Sequence, residues 1–229
     1  MYDFGEVCPI SKAASVLCER WTLQIIREMF LGATRFTEFQ TYLPKLSPTL
    51  LNSRLRTLEN EGIILKKKVP GKSGTEYHLT SMGKALQPLM TEFGKWGMTF
   101  AFESTEYNEL NPASIVRDFA FALDIDQIPT GDSIIQFNIS YDGDLIKKFI
   151  LIRDGKAQSC SDNPGHDVDV YLTAELSTLY KIWFGELSVM NARESEKLKT
   201  IGSTHYLRNI SKWLRTSQFA PYHRNYQAN

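Results

Sequence analysis

The chain opens in helical periodicity: Ile10, Ala13, Ala14 and Leu17 fall on one stripe, and Ile25, Ile26, Met29 and Phe30 on a second. This is the three-to-four spacing of amphipathic helices. Gly32 is placed to end the second of them. Residues 37–43 predict a brief helix, and Pro44, Lys45 and Leu46 a turn. Ser47-Pro48 then starts a longer helix, with Ser47 as N-cap and Pro48 at the first helical position, where its missing N–H is tolerated. Gly62 closes that helix. Residues 65–69 and 75–79 are strand candidates around the tip Pro70-Gly71-Lys72-Ser73-Gly74, which reads as a hairpin. From Ser81 a long helix is predicted, carrying Met82, Leu86, Leu89, Phe93, Trp96 and Phe100 at alternating spacings of 4 and 3, the heptad pattern. Pro88 should bend it. The stripe has two readings, packing within its own domain or pairing with a second copy across a dimer interface. The added apolar residues Met98 and Phe102 are more than a short exposed helix normally displays.

Residues 105–111 are polar and acidic and read as a linker. Asn111-Pro112 caps a further helix bearing Ile115, Val116, Phe119 and Leu123, after which Ile135, Phe137 and Ile139 alternate as in a strand. A turn at 141–144, a second strand over 145–153, a hairpin signal at Asp154-Gly155 and a third strand over 156–160 follow. Val168, Val170 and Leu172 mark a fourth strand. Leu176, Leu179, Tyr180 and Trp183 share a helix face up to Gly185, residues 197–202 suggest a fifth strand, and 203–214 a last helix. Two domains are therefore expected. The element order predicts a mainly α winged helix-turn-helix over residues 1–104 and an α+β domain over residues 105–229.

Composition narrows the function classes. Of 229 residues, 42% are hydrophobic and 23% charged, which excludes bulk disorder. No apolar run approaches the length of a spanning helix, and Asp3 and Glu6 stand where a signal peptide would be basic. A cytoplasmic protein without a membrane partner is expected. Cys8, Cys18 and Cys160 make no C-x-x-C pair, so neither a disulfide framework nor a cysteine zinc site is encoded, and no metal or cofactor is expected. Basic and acidic residues number 26 each, but residues 34–72 hold 8 basic against 3 acidic. The excess coincides with the predicted helix-turn-helix and hairpin, where it suits a polyanion.

On the helix capped by Ser47, Leu51, Leu55 and Leu58 fall within about 60° of one another, while Thr49, Asn52, Ser53, Arg56 and Asn60 gather opposite. Thr, Asn, Ser and Arg are side chains that read base edges in a major groove. Lys66, Lys67, Lys68 and Lys72 on the hairpin supply charge without base selectivity, which suits phosphates, and Arg35 and Lys45 flank the short helix as further phosphate anchors. Catalysis finds little support. There is no Gly-x-Ser-x-Gly elbow and no His-Glu-x-x-His, His78, His166, His205 and His223 are dispersed, and Gly71-Lys72-Ser73 lacks the earlier glycine of a phosphate loop.

The first hundred residues resemble the HxlR family of bacterial transcription regulators. The resemblance rests on Cys8-Pro9, Arg20-Trp21-Thr22-Leu23, Arg35-Phe36-Thr37-Glu38-Phe39, Leu43-Pro44 with Leu46-Ser47-Pro48, Leu55-Arg56-Thr57-Leu58-Glu59 with Glu61-Gly62, Glu76-Tyr77-His78-Leu79-Thr80, and Gly83 with Pro88. Cys18-Glu19 and the short tip over 70–74 depart from the family's pattern. The resemblance implies a sequence-specific regulator of double-stranded DNA, a homodimer on an inverted-repeat operator paired through first and last helices, with Met82, Leu86, Leu89, Phe93, Trp96 and Phe100 at the interface. It also raises Cys8, at a helix N-terminus, as a redox-sensing thiol, the other reading being a small residue at the helix entrance.

The remainder is similar to the sterol-carrier-protein fold, through Asp169-Val170-Tyr171-Leu172-Thr173, the helix with Leu176 and Leu179, Phe184-Gly185-Glu186-Leu187, the stretch over 197–202, and a closing helix with Leu207, Ile210 and Leu214. It implies a lipophilic small molecule as ligand. Phe137, Phe149, Trp183, Phe184, Tyr206 and Trp213 are the candidates to line an apolar pocket, although an ordinary core uses the same residue types. A third class, an apolar-ligand carrier with a helical dimerisation arm, stays open.

Overall fold

The computed structural model describes residues 5, 7–68, 74–103, 110–165 and 167–227. Two compact units emerge, Met1–Phe93 and Gly94–Asn229. The first contains α1 (Pro9–Leu17), α2 (Thr22–Phe30), α3 (Phe36–Tyr42), α4 (Pro48–Asn60), β1 (Ile64–Lys68), β2 (Thr75–Leu79) and α5 (Ser81–Lys84); α6 (Gln87–Trp96) runs across the division. Its core joins Ile25 and Ile26 of α2, Phe39 of α3, Leu51, Leu55 and Leu58 of α4, and Ile63, Ile64 and Tyr77 of the hairpin. The predicted stripe on α1 is only partly used, for Leu17 is buried while Ile10 is 79% exposed.

The long helix expected from Ser81 is broken. After α5 the chain turns through Ala85 and Leu86, and α6 begins at Gln87. Pro88 is therefore in the first turn of a new helix, where it lacks nothing that a helix interior would need, instead of bending an existing one. The same chain then passes into a π turn over Gly97–Ala101. Gly83 explains the close packing of α5: a Cβ there would lie 2.2 Å from the carbonyl oxygen of Ile63, so only glycine lets the helix approach the hairpin. The hairpin tip, with Lys72, lies outside the described residues, as do most of the predicted linker and His166.

In the second unit, α7 (Pro112–Ala122) is followed by β3 (Ser133–Tyr141), β4 (Asp144–Arg153), β5 (Lys156–Cys160), β6 (Val170–Glu175), α8 (Leu176–Trp183), α9 (Val189–Glu194), β7 (Leu198–Gly202), α10 (Thr204–Arg208) and α11 (Ile210–Trp213). Asn111 caps α7 by accepting from the N–H groups of Ala113 (2.8 Å) and Ser114 (3.2 Å). The sheet order is β5-β4-β3-β6-β7, with β3 and β6 parallel and the other neighbours antiparallel. Both antiparallel turns on β4 carry an Asp-Gly pair with positive φ, 50° and 85° at Asp142-Gly143 and 51° and 67° at Asp154-Gly155. That is the type I′ geometry whose twist matches the strands. The last helix expected over 203–214 is instead α10 and α11, separated at Asn209, and the Trp213 indole N–H donates to the Tyr206 carbonyl across the break (2.9 Å).

One face of this sheet packs into the unit's core with Ile115, Phe119, Leu176, Leu179, Ile182, Ile210 and Trp213 from the helices. Phe137 belongs to that face, stacked on Phe119 at 5.9 Å, and Trp183 meets Phe119 edge-on at 5.3 Å. Phe149 does not. Strand register sets it opposite Gln136, and adjacent residues along a strand point to opposite faces, so Phe149 and Phe137 lie on different sides of the sheet. The six aromatics expected to line one pocket are thus divided by the sheet itself. Phe137, Tyr206 and Trp213 are buried in packed core; Trp183 and Phe184 are half-buried.

Residues 217–227 fold back on the beginning of the same unit. The Phe219 ring covers Gly94 so closely that a Cβ there would lie 2.3 Å from it. The Lys95 ammonium is 5.5 Å from the Tyr222 ring centroid, Arg224 Nε donates to the Thr99 carbonyl at 3.4 Å, and Phe102 packs edge-on against the His223 ring and tilted against that of Phe184. His223 Nε2 also lies 3.5 Å from the Glu186 carboxylate.

Candidate nucleic-acid interface

The helix-turn-helix is built from α3, the turn after Leu43, and α4. Arg35 is the N-cap residue of α3, and the Glu38 carboxylate closes the entrance by accepting from the N–H groups of Thr34 (2.7 Å) and Arg35 (2.8 Å). On α4 the Ser47 hydroxyl accepts from the N–H of Leu50 at 3.3 Å, and Pro48 occupies the first turn. Leu51, Leu55 and Leu58 are essentially sealed. Their burial sets which face of the helix turns inward and leaves Thr49, Asn52, Ser53 and Arg56 on the outer side, where all four are exposed, as are Lys45 and Ser47 at its start. The arrangement offers hydrogen-bonding groups on a rigid rod of about 20 Å, the dimension of a groove-reading helix.

The wing follows directly. Lys66, Lys67 and Lys68 are exposed on β1. Lys66 Nζ lies 5.9 Å from the Tyr77 ring centroid, while Lys67 stands opposite Glu76 in the strand register. Arg35 is drawn into the wing, bridging to Glu76 through both backbone and side chain (Nη2 to Oε1, 3.4 Å), and the same carboxylate lies 3.2 Å from His78 Nε2. Any phosphate contact by Arg35 must therefore compete with Glu76.

One ion pair escaped the sequence reading. Arg54, on the flank of α4, ion-pairs with Glu19 and donates from Nε to the Arg20 carbonyl at 3.0 Å. Nothing local in sequence links 19 to 54; the only available signal was that Arg54 lies on the core's side of the helical wheel, where a lone cation needs a partner.

The stripe expected at a dimer interface is largely uncovered. Met82 is 52% exposed, Leu89 46%, Phe93 59%, Trp96 59% and Phe100 65%, whereas Leu86 packs partly into the first unit's core. Cys8 is the N-cap residue of α1, and the Ser11 amide, then its hydroxyl, then the Ile10 amide favour the thiolate and hold its pKa below the ordinary thiol value. Burial pushes the Cys160 thiol the other way. Cys8 should accordingly carbamidomethylate faster than Cys160 at neutral pH, its rate levelling off at a lower pH. Peptide-resolved iodoacetamide kinetics between pH 6 and pH 10 check this, and equal profiles would contradict it.

In the second unit an open groove is lined by Met190, Arg193, Glu194, Glu196, Leu198, Lys199 and Thr200. None of the six aromatic candidates borders it. Among the described residues no three His, Cys, Asp or Glu side chains group as a metal site, and no helix is long and apolar enough to cross a membrane.

A lysine-bearing hairpin behind a helix whose outer face is polar and whose inner face is leucine defines the winged helix-turn-helix class of DNA-binding proteins. Residues 16–105 match the family model described as HxlR-like helix-turn-helix. Among similar proteins, the HTH-type transcriptional regulator YvaP of Bacillus subtilis is 40% identical over 94 residues, which cover 40% of this chain and 87% of YvaP. YdeP of the same organism, also an HTH-type transcriptional regulator, is 33% identical over 98 residues, covering 42% of this chain and 75% of its own. The reduced form of the regulator YodB from B. subtilis is 33% identical, covering 42% of this chain and 96% of that one, with a TM-score of 0.38. The chain belongs to the HxlR-like helix-turn-helix family.

Proposed function

We propose that this chain is a homodimeric, sequence-specific regulator on an inverted-repeat DNA operator, whose second domain takes a lipophilic effector. The observation that carries the DNA reading is the polar outer face of α4 set against its three buried leucines. In this assignment Thr49, Asn52, Ser53 and Arg56 read bases, Ser47, Lys45 and Lys66 to Lys68 hold phosphates with Arg35 and Lys72, and the stripe from Met82 to Phe100 meets a second copy. Residues 1–104 carry these tasks, and 105–229 the effector domain. The sterol-carrier-like part is supported by the quoted segments falling on β6, α8, β7, α10 and α11. An apolar effector fits best beside the half-buried rings of Trp183 and Phe184, on the edge of the packed core, and Cys8 is the residue through which oxidants would act.

The DNA reading is tested by enriching a duplex from a random-sequence pool and titrating it across a salt series. Arg56→Ala and Asn52→Ala should each cost about 1 to 3 kcal/mol on the enriched duplex and leave scrambled DNA nearly unaffected. Lys67→Ala should weaken both alike and lower the salt slope by about one unit. Losses of equal size on both duplexes for Arg56 and Asn52 would overturn base reading. Absence of salt-dependent DNA affinity in the parent would favour the apolar carrier instead.

A further inference from the structure

The corner between α1 and α2 is an unusual piece of backbone. Cys18 ends α1, the Thr22 N–H donates to the Glu19 carbonyl at 3.0 Å, and Trp21 takes a left-handed conformation with φ 77°. For a bulky residue that conformation is strained and persists only where its surroundings enforce it. Part of the enforcement comes from α4. The Arg54 guanidinium holds Glu19 through an ion pair and the Arg20 carbonyl through Nε, and both partners of the ion pair are largely buried, at 18% and 16% side-chain exposure. Arg20 in turn lies over the Trp21 ring at 5.5 Å.

We propose that Arg54 is a positioning residue for DNA recognition, fixing the roll of α4 by a two-point hold on Glu19 and Arg20. The inference rests on the reading of α4 as the base-reading helix. Arg54 lies about 160° round the helix from Arg56, and about 40° from Leu58, so it points away from DNA and bounds the leucine face on one side. Leucine packing alone leaves some freedom of roll, because apolar contacts are not directional. A roll of about 20° moves a group about 6 Å from the axis by about 2 Å. That exceeds the narrow distance range of a good hydrogen bond, so bidentate contacts from Asn52 or Arg56 would be lost while phosphate attraction survived. Arg54 thus contributes to selectivity without touching a base.

The experiment uses the full chain, the duplex enriched from a random pool by the parent, and a scrambled duplex of the same length and composition. Arg54→Gln and Glu19→Gln should each weaken the enriched duplex about tenfold or more and the scrambled one less than about twofold, at a temperature where each variant retains the parent's far-UV spectrum and a cooperative thermal transition well above it. The exchange Glu19→Arg with Arg54→Glu restores the ion pair but not the bond to the Arg20 carbonyl, so it should recover part of the affinity for the enriched duplex relative to Arg54→Gln, which loss of a positive charge at 54 would not produce. If Arg54→Gln does not fold, Glu19→Gln, which keeps the bond to Arg20, decides alone. Parent-like affinity for the enriched duplex, or equal loss on both duplexes, overturns the positioning role and leaves the DNA reading standing. A parent that enriches no sequence overturns the DNA reading, and the positioning role with it.

Discussion

Phe93→Glu is expected to convert the protein to a monomer at micromolar concentration and to lower its affinity for an inverted-repeat duplex about a hundredfold or more. The size follows from bivalency: two recognition helices joined in one particle gain about two to four orders of magnitude over one alone. Phe93 is 59% exposed in the single chain, so the carboxylate is readily solvated there and the fold of each protomer should survive. In a paired stripe the same carboxylate would be desolvated without a partner, which is strongly unfavourable. Sedimentation velocity and titration of whole and half operators measure both effects. A parent that sediments as a monomer, or a Phe93→Glu protein that stays dimeric, would remove the stripe from the interface. Half-sites should be spaced by about one turn of DNA or a multiple of it.

Phe137→Ala should destabilise the second unit by about 3 to 5 kcal/mol in denaturant titration. Phe137 is fully buried in the helix-covered core and stacked on Phe119, so truncation removes apolar contact and leaves a cavity that the sheet cannot collapse to fill. A side chain lining a pre-formed ligand cavity would behave differently, because one side of it already lacks neighbours. A loss below about 1 kcal/mol, in the range of exposed positions, would therefore move Phe137 from core to pocket. The large loss would restrict any effector to the partly open rings at Trp183 and Phe184.

Sequence order made the winged helix-turn-helix legible because its signals are local. Ser47-Pro48, the leucine spacing on α4 and the clustered lysines each act within a few residues of their place in the chain. The Asp-Gly turns of the second unit were readable for the same reason, since positive φ is demanded there by hairpin twist. What escaped was non-local or depended on competition. Heptad spacing persists through residues 82–100, yet the helix breaks at Ala85 because Pro88 cannot donate an N–H within a continuous helix. Counting aromatics could not show that Phe149 and Phe137 face opposite ways, which is fixed by strand register. Nor could it show Arg35 engaged by Glu76, or Arg54 by Glu19, because those partners are brought together only by folding.

The return of residues 217–227 onto Gly94 and Phe102 has a bearing on synthesis. A ribosome adding about 5 to 20 residues per second delivers Phe219 roughly 6 to 25 s after Gly94. Throughout that interval Gly94 lacks Phe219, and the Phe102 ring lacks its His223 neighbour. The helix-turn-helix core, by contrast, is complete in sequence once Leu79 has emerged. Its folding can precede closure of the second unit, so the exposed stripe on α6 is available to a neighbouring nascent chain before the segment that clasps its far end exists. In the proposed dimer, assembly on a polysome would then begin at Leu89 and Phe93 and proceed outward.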